Sequence, residues 1–282
     1  MSFLRRVFFF VILPATALRA APAAFPLQDG EHLTYRVSWA VVMGAGEIKI
    51  DAHRDAAAND SHLVVTTMTA TRGVARWLLP FDATASSVFD LRTGKLVSLH
   101  EETTTRGKKA EHNVTFDYAA HRAIYTVPGG VEAPRTLTLP EGDPMDLIIG
   151  LLQTRTWDIK EGEARDALVL FDDDFYELTI HGARYEDVKT KLGTFKTLVL
   201  EPRMEKTPPK GMFKRGSSVR VWIAQDSRRL PVKFEVEFKI GTGTATLDSY
   251  TPPKSPEAAP KSENASAPAT SPARPDEKNP RP

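Results

Sequence analysis

The sequence predicts an all-β protein, a large antiparallel barrel-like or strongly bent sheet with one or two short helices. Apolar and polar residues alternate with period 2, as in Leu33, Tyr35, Val37 and Trp39 against Thr34, Arg36 and Ser38. Turn residues separate the alternating runs at hairpin spacing, as in Asp90 to Gly94 and Asp117 to Arg122. Only two segments carry helix signals.

The first strands are Leu33 to Trp39, Ile48 to Ala52 and Leu63 to Ala70, with Gly44-Ala45-Gly46 easing a bend. Arg72 to Leu79 reads as a short helical turn stopped by Pro80. Strands follow at Leu96 to Glu102, Asn113 to Tyr118 and Ala123 to Val127. The second helix signal has Asp143 as N-cap and Pro144 at the first helical position. Its residues Leu147 to Leu152 are apolar except Gly150, so the helix belongs in the interior, as a plug or a cover over a bent sheet. Arg155 follows closely; a buried arginine needs a carboxylate, and Asp143 and Asp146 are its candidate partners. The remaining strands are Leu168 to Phe171, Phe175 to Ile180, Ala183 to Thr190, Phe195 to Pro202, Val219 to Ala224, Val232 to Phe238 and Thr242 to Tyr250. One face of each is expected to be apolar and the other wet. Asp90, Asp117 and Asp226 each follow a strand and suit turn caps, and Asp172-Asp173-Asp174 suits a hairpin tip.

Composition divides the 282 residues into three parts. Residues 1–23 hold Arg5-Arg6, the apolar run Val7 to Leu13 and small residues up to Ala23, the pattern of a cleaved signal peptide. The run is too short for a membrane span, and Pro14 follows it. Residues 252–282 contain 9 of the 21 prolines and read as a disordered tail. Residues 25–251 form one β domain. The net charge of +1 hides a leader of +3, a tail of +1 and a core near −3. That balance argues against nucleic-acid binding. The chain has no Cys, which excludes a disulfide scaffold, thiol catalysis and a lipid-modified cysteine. The expected location is the periplasm of a Gram-negative type cell, with no anchor after signal cleavage.

Several short motifs recur in a characteristic order. They are Phe25-Pro26-Leu27 with Asp29-Gly30-Glu31, then Val88-Phe89-Asp90, Val114 to Asp117, Asp143 to Leu147 leading to Arg155, Gly193 to Thr197, and Val221 to Asp226 before Leu230-Pro231-Val232. In this order the core resembles the DUF3108 family of exported bacterial proteins. The resemblance implies a periplasmic location and a large antiparallel β fold, and it implies no activity. Ile148-Ile149-Gly150-Leu151 departs from the more polar or aromatic helix of relatives. The architecture is also distantly similar to envelope carriers of the lipoprotein-localisation type, whose curved sheets hold acyl chains.

Catalytic patterns are absent. No Gly-x-Ser-x-Gly and no His-Glu-x-x-His occurs, and Glu101 and Glu102 alternate to opposite faces of a strand. No catalytic residue, metal site or cofactor is expected. The candidate ligand-binding residues are Tyr35, Trp39, Trp222 and Arg155, because inward aromatics of a barrel line ligand cavities. The run Lys206 to Arg220 mixes cations with Met212 and Phe213, a composition suited to anionic lipid or a partner. The sequence therefore points to a non-enzymatic envelope protein whose partners are a lipid or another envelope protein. The alternatives are a structural module of an envelope complex and an enzyme acting on an envelope polymer.

Overall fold

The structure, a computed structural model, describes residues 25–210, 213, 218–238 and 241–254. The signal peptide and nearly all of the tail expected from the sequence lie outside these residues. Fifteen strands form among the described residues. The first eight are β1 (His32–Trp39), β2 (Val42–Arg54), β3 (His62–Thr71), β4 (Phe81–Asp90), β5 (Leu96–Thr105), β6 (Lys108–Asp117), β7 (Arg122–Thr126) and β8 (Arg135–Thr138). The rest are β9 (Met145–Asp146), β10 (Ala164–Phe171), β11 (Asp174–Thr190), β12 (Gly193–Arg203), β13 (Ser218–Ala224), β14 (Pro231–Phe238) and β15 (Gly241–Thr251). Helix α1 spans Gly73–Leu78 and α2 spans Leu147–Gln153.

All strands belong to one sheet, ordered β8-β7-β6-β5-β4-β3-β2-β1-β15-β14-β13-β12-β11-β10-β9. Apart from β8 and β9, strands that are neighbours in sequence are neighbours in space, and β1 pairs with β15, so the first and last strands meet in mid-sheet. The meander is barrel-like but open, because β8 and β9 are edges. Side chains fasten this seam. The Arg135 guanidinium reaches Asp173 at 2.5 Å, and the Tyr125 hydroxyl donates to Asp172 at 3.3 Å. As expected, Asp172-Asp173 forms the hairpin tip between β10 and β11.

The core follows from the alternation. Leu33 and Tyr35 of β1, Ile50 of β2, Leu63 of β3 and Phe89 of β4 turn inward and are fully buried. Their outward neighbours include Arg36 and Lys49, as expected for a sheet with one wet face. The other half of the sheet departs from that expectation. Leu198, Leu200, Val221 and Ile223 form a second core with Trp157, Ile159 and Met204. Consecutive Leu198-Val199-Leu200 are buried on alternate faces, and the segment after α2 covers the face that carries Leu198 and Leu200. A strand buried on both faces reads as a continuous apolar run.

Two further differences have local causes. Phe175 to Ile180 and Ala183 to Thr190 are one strand, β11, bent by a register shift between Gly182 and Arg184. A Cβ at Gly182 would lie 2.2 Å from the Lys160 carbonyl oxygen, so only glycine lets the covering segment approach here. Helix α2 starts at Leu147, later than Asp143 suggested. Met145 and Asp146 first pair in parallel with β10, and Asp146 is the N-cap, accepting from the amides of Ile148 and Ile149.

The turn caps are as expected. Asp90 accepts from the amides of Arg92 and Thr93, Asp117 from Ala120, and Asp226 from Arg228 and Arg229.

Candidate functional site

Helix α2 lies against the inner face of the sheet, with Ile149 and Leu152 fully buried. A Cβ on Gly150 would fall 2.4 Å from Val169 Cγ1, so the helix sits as close to β10 as its backbone allows. The concave interior is not filled elsewhere. On one side of α2 lies a cavity of about 280 Å³, lined by Leu147, Ile148 and Leu151 of the helix and by residues of β1, β2, β13, β14 and β15. Its deep wall is Tyr35 and Ile50, both fully buried. Its outer limit is Trp39, the last residue of β1, whose ring packs against Gly241 and Gly243. Apart from the Tyr35 hydroxyl and Thr244, the lining side chains carry no polar group outside the Trp39 indole. The Tyr35 hydroxyl is committed, donating to the Pro231 carbonyl at 2.9 Å. Burial and the nearby Glu31 push its ionisation far above the ordinary tyrosine range, so it stays neutral.

On the other side of α2 a second cavity of about 180 Å³ is mixed in character, with Glu101, Asp146 and Asp172 among Thr67, Phe81 and Leu99. Burial holds Glu101 above the usual carboxylate range, and the charges of Asp172 and Asp146 add to it. Burial raises Asp146 too, against its bonds from the Ile149 amide, Ser87 and the Ile148 amide. Behind Glu101, at 3.9 Å, lies His112, lowered by desolvation and stacked on Tyr125 with ring centroids 5.0 Å apart. Asp146 is occupied as a helix cap and by Ser87 Oγ at 2.5 Å. Glu102 points outward to Lys109, so the two neighbouring glutamates do face opposite ways.

The four candidate residues separate. Tyr35 and Trp39 line the apolar cavity. Trp222 is buried with its indole N–H donating to Glu186 at 2.7 Å and Lys233 4.0 Å above its ring. It braces β13 against β11 and is not among the cavity lining. Arg155 closes the interior at the end of the sheet that carries the β13–β14 turn. Its guanidinium binds Glu31 at 2.9 Å and the carbonyls of Pro26 and Arg228 at 2.9 and 3.0 Å. Glu31 also accepts from Tyr250 at 2.9 Å and from the Gln28 amide at 2.8 Å. The partner is therefore Glu31, 124 residues away, rather than Asp143 or Asp146. Those two are engaged elsewhere, Asp143 with Lys95 and Asp146 with the helix amides. The α2 residues that line the cavity were legible only as a buried helix; that they face Tyr35 depends on packing.

Fold and cavity together define a β-barrel-like protein with an internal helix. Residues 34–248 match the family described as a protein of unknown function, DUF3108, and the chain belongs to that family. Among solved structures it is similar to a β-barrel-like protein of the DUF1849 domain of unknown function from Brucella abortus. That match has a TM-score of 0.51 and 8% identity, and covers 81% of this chain and 100% of the other. It supports the fold alone. A provisionally assigned lipoprotein from Parabacteroides distasonis aligns at TM-score 0.29 and 10% identity over 80% of this chain and 97% of its own, and carries no argument. No curated protein matches the chain.

Proposed function

We propose that the protein is a non-enzymatic binding protein of the bacterial envelope that takes an apolar, lipid-like group into the cavity between α2 and the sheet. The observation that carries this reading is the lining of that cavity, in which Val37, Ile48, Leu151 and Phe234 face one another with hardly a polar atom exposed. Its volume lies near the lower end of ligand pockets, about 300–1,000 Å³. That size suits a single acyl chain rather than a polymer. Tyr35 and Trp39 are its proposed contact residues, while Arg155 and Trp222 serve it indirectly by fixing the walls. The basic, apolar-rich leader over 1–23 supports export to the periplasm.

Binding of a fluorescent C16 fatty acid tests the reading, together with native mass spectrometry of protein isolated from cells. The probe is expected to bind, and Ile48→Trp, which fills the cavity, to weaken it by about tenfold or more. Failure of the probe to bind, with no co-purifying apolar molecule, would overturn it.

A further inference from the structure

The exposed large apolar side chains collect at one end of the sheet. Successive strands alternate in direction, so the β1–β2 turn, the α1 connection between β3 and β4 and the β5–β6 turn share that end. Val41 is 93% exposed and Met43 78% in the first of these, and Trp77 is 82% exposed on α1 beside Val74 and Leu78. Hydrogen bonds hold the three turns together. The Arg72 amide donates to the Ala45 carbonyl at 2.8 Å, and the Arg106 amide to the Pro80 carbonyl at 2.9 Å. A six-residue helix that buries none of its own side chains is not built for the core.

Within these three turns the charge has one sign. Segments 40–45, 72–80 and 106–109 contain Arg72, Arg76, Arg106, Lys108 and Lys109 and no Asp or Glu. The acids that meet three of these cations sit farther back in the strands: Glu47 for Arg72, Asp82 for Arg76 and Glu102 for Lys109. Exposed pairs of this kind hold weakly and exchange readily for another anion. A tryptophan with Leu, Val and Met beside several cations is the composition of a surface that enters the headgroup layer of an anionic bilayer. The β1–β2 turn adjoins the cavity, since Trp39 at the end of β1 lines it and Val41 follows two residues later.

We propose that α1 with the β1–β2 and β5–β6 turns docks on the surface of a membrane containing anionic phospholipid. Trp77 and Met43 enter the interface, and Arg106 and Lys108 face the phosphates. The dock sets the mouth of the apolar cavity against the bilayer, so a lipid-like group passes between them without crossing water. This role rests on the cavity reading, and the two are tested with separate probes.

The test is co-sedimentation with vesicles of phosphatidylglycerol and phosphatidylcholine, set beside vesicles of phosphatidylcholine alone. Protein starting at Ala24 is used, because the apolar run over Val7 to Leu13 would itself bind lipid. The mixed vesicles are expected to retain the protein. Trp77→Ser with Leu78→Ser should lower retention by about tenfold or more while leaving fatty-acid binding unchanged, which also reports an intact fold. Arg106→Glu with Lys108→Glu should lower retention on the mixed vesicles only. Equal retention of the Trp77→Ser, Leu78→Ser variant, or no retention of the parent, overturns the dock even where the fatty-acid probe binds. A concentration-dependent dimer in sedimentation velocity that these substitutions abolish, without vesicle binding, would give the patch to a second copy and overturn it as well. Loss of fatty-acid binding with vesicle retention intact would instead count against the cavity alone.

Discussion

At one end of the sheet the turns are closed by Asp90, Asp117 and Asp226, each accepting from backbone amides, and the Glu31–Arg155–Tyr250 group seals the interior beneath them. At the other end the β1–β2 turn and the α1 connection carry Val41, Met43 and Trp77 into solvent and no carboxylate. Among the described residues, Leu192 is the exposed large apolar side chain at a turn of the sealed end. The same meander builds both ends, so topology does not explain the contrast. The sealed end pairs the charges it buries, Glu31 and Arg155, as a structural closure requires. The other end leaves apolar area in water that folding alone would have hidden, and that cost makes sense only where something else covers it.

The strongest way to break the contrast is at the seal. Arg155→Ala is expected to leave Glu31, 2% exposed, as an uncompensated buried charge, at a cost of about 3–5 kcal/mol. Thermal unfolding should show a melting temperature lower by about 6–20 °C. The double variant Glu31→Gln, Arg155→Met should recover a large part of that loss, because no lone charge remains. Next in size is Gly150→Ala. Its methyl would collide with Val169, and overpacking of this kind costs about 1–3 kcal/mol by the same measurement.

Glu101 sharpens the view of the interior. Its folded pKa is raised above the ordinary value of 4.5, so the unfolded chain releases the proton first as pH climbs. The fold therefore loses stability from this group as pH rises from about 4.5 towards the raised pKa. Glu101→Gln should raise the melting temperature at pH 7 by about 2–4 °C and leave it unchanged below pH 4. His112 acts in the opposite sense. Its lowered pKa favours the fold above the ordinary value of 6.5 and that contribution is lost as pH falls. Thus His112→Gln should flatten the acid side of the stability profile. The smallest effect on stability is expected from Trp77→Ser, within about 0.5 kcal/mol, since its side chain is already in water. That neutrality, beside a large effect on vesicle binding, would set the exposed end apart from the sealed one.

Much of the fold was legible because its signals are local. Phe234, Val236 and the alternating Lys233 and Glu235 define β14 with no knowledge of its neighbours. Strand β8, Arg135–Thr138, was not, because four residues with one apolar side chain give no period to detect. The first part of β4 was missed for a similar reason, since Ala83 to Ser87 has weak strand preference and forms a strand only between β3 and β5. At the site, Tyr35 and Trp39 could be named from the alternation, while Ile148 and Leu151 could not be assigned to the same cavity. Arg155 could be recognised as needing a partner, but short-range reasoning pointed to the wrong carboxylates.

The sequence by itself determined the β class, the hairpins, the Asp caps and the burial of α2. Each depends on side-chain period or on bonds within a few residues. The tertiary structure alone decided that β1 lies beside β15, that β10 to β13 are covered on both faces, and that Glu31 meets Arg155. It also decided that three turns distant in sequence gather their apolar side chains and cations at one end of the sheet. Those are pairings across long separations, and they are set by how the whole sheet curves around α2 rather than by any segment's own preference.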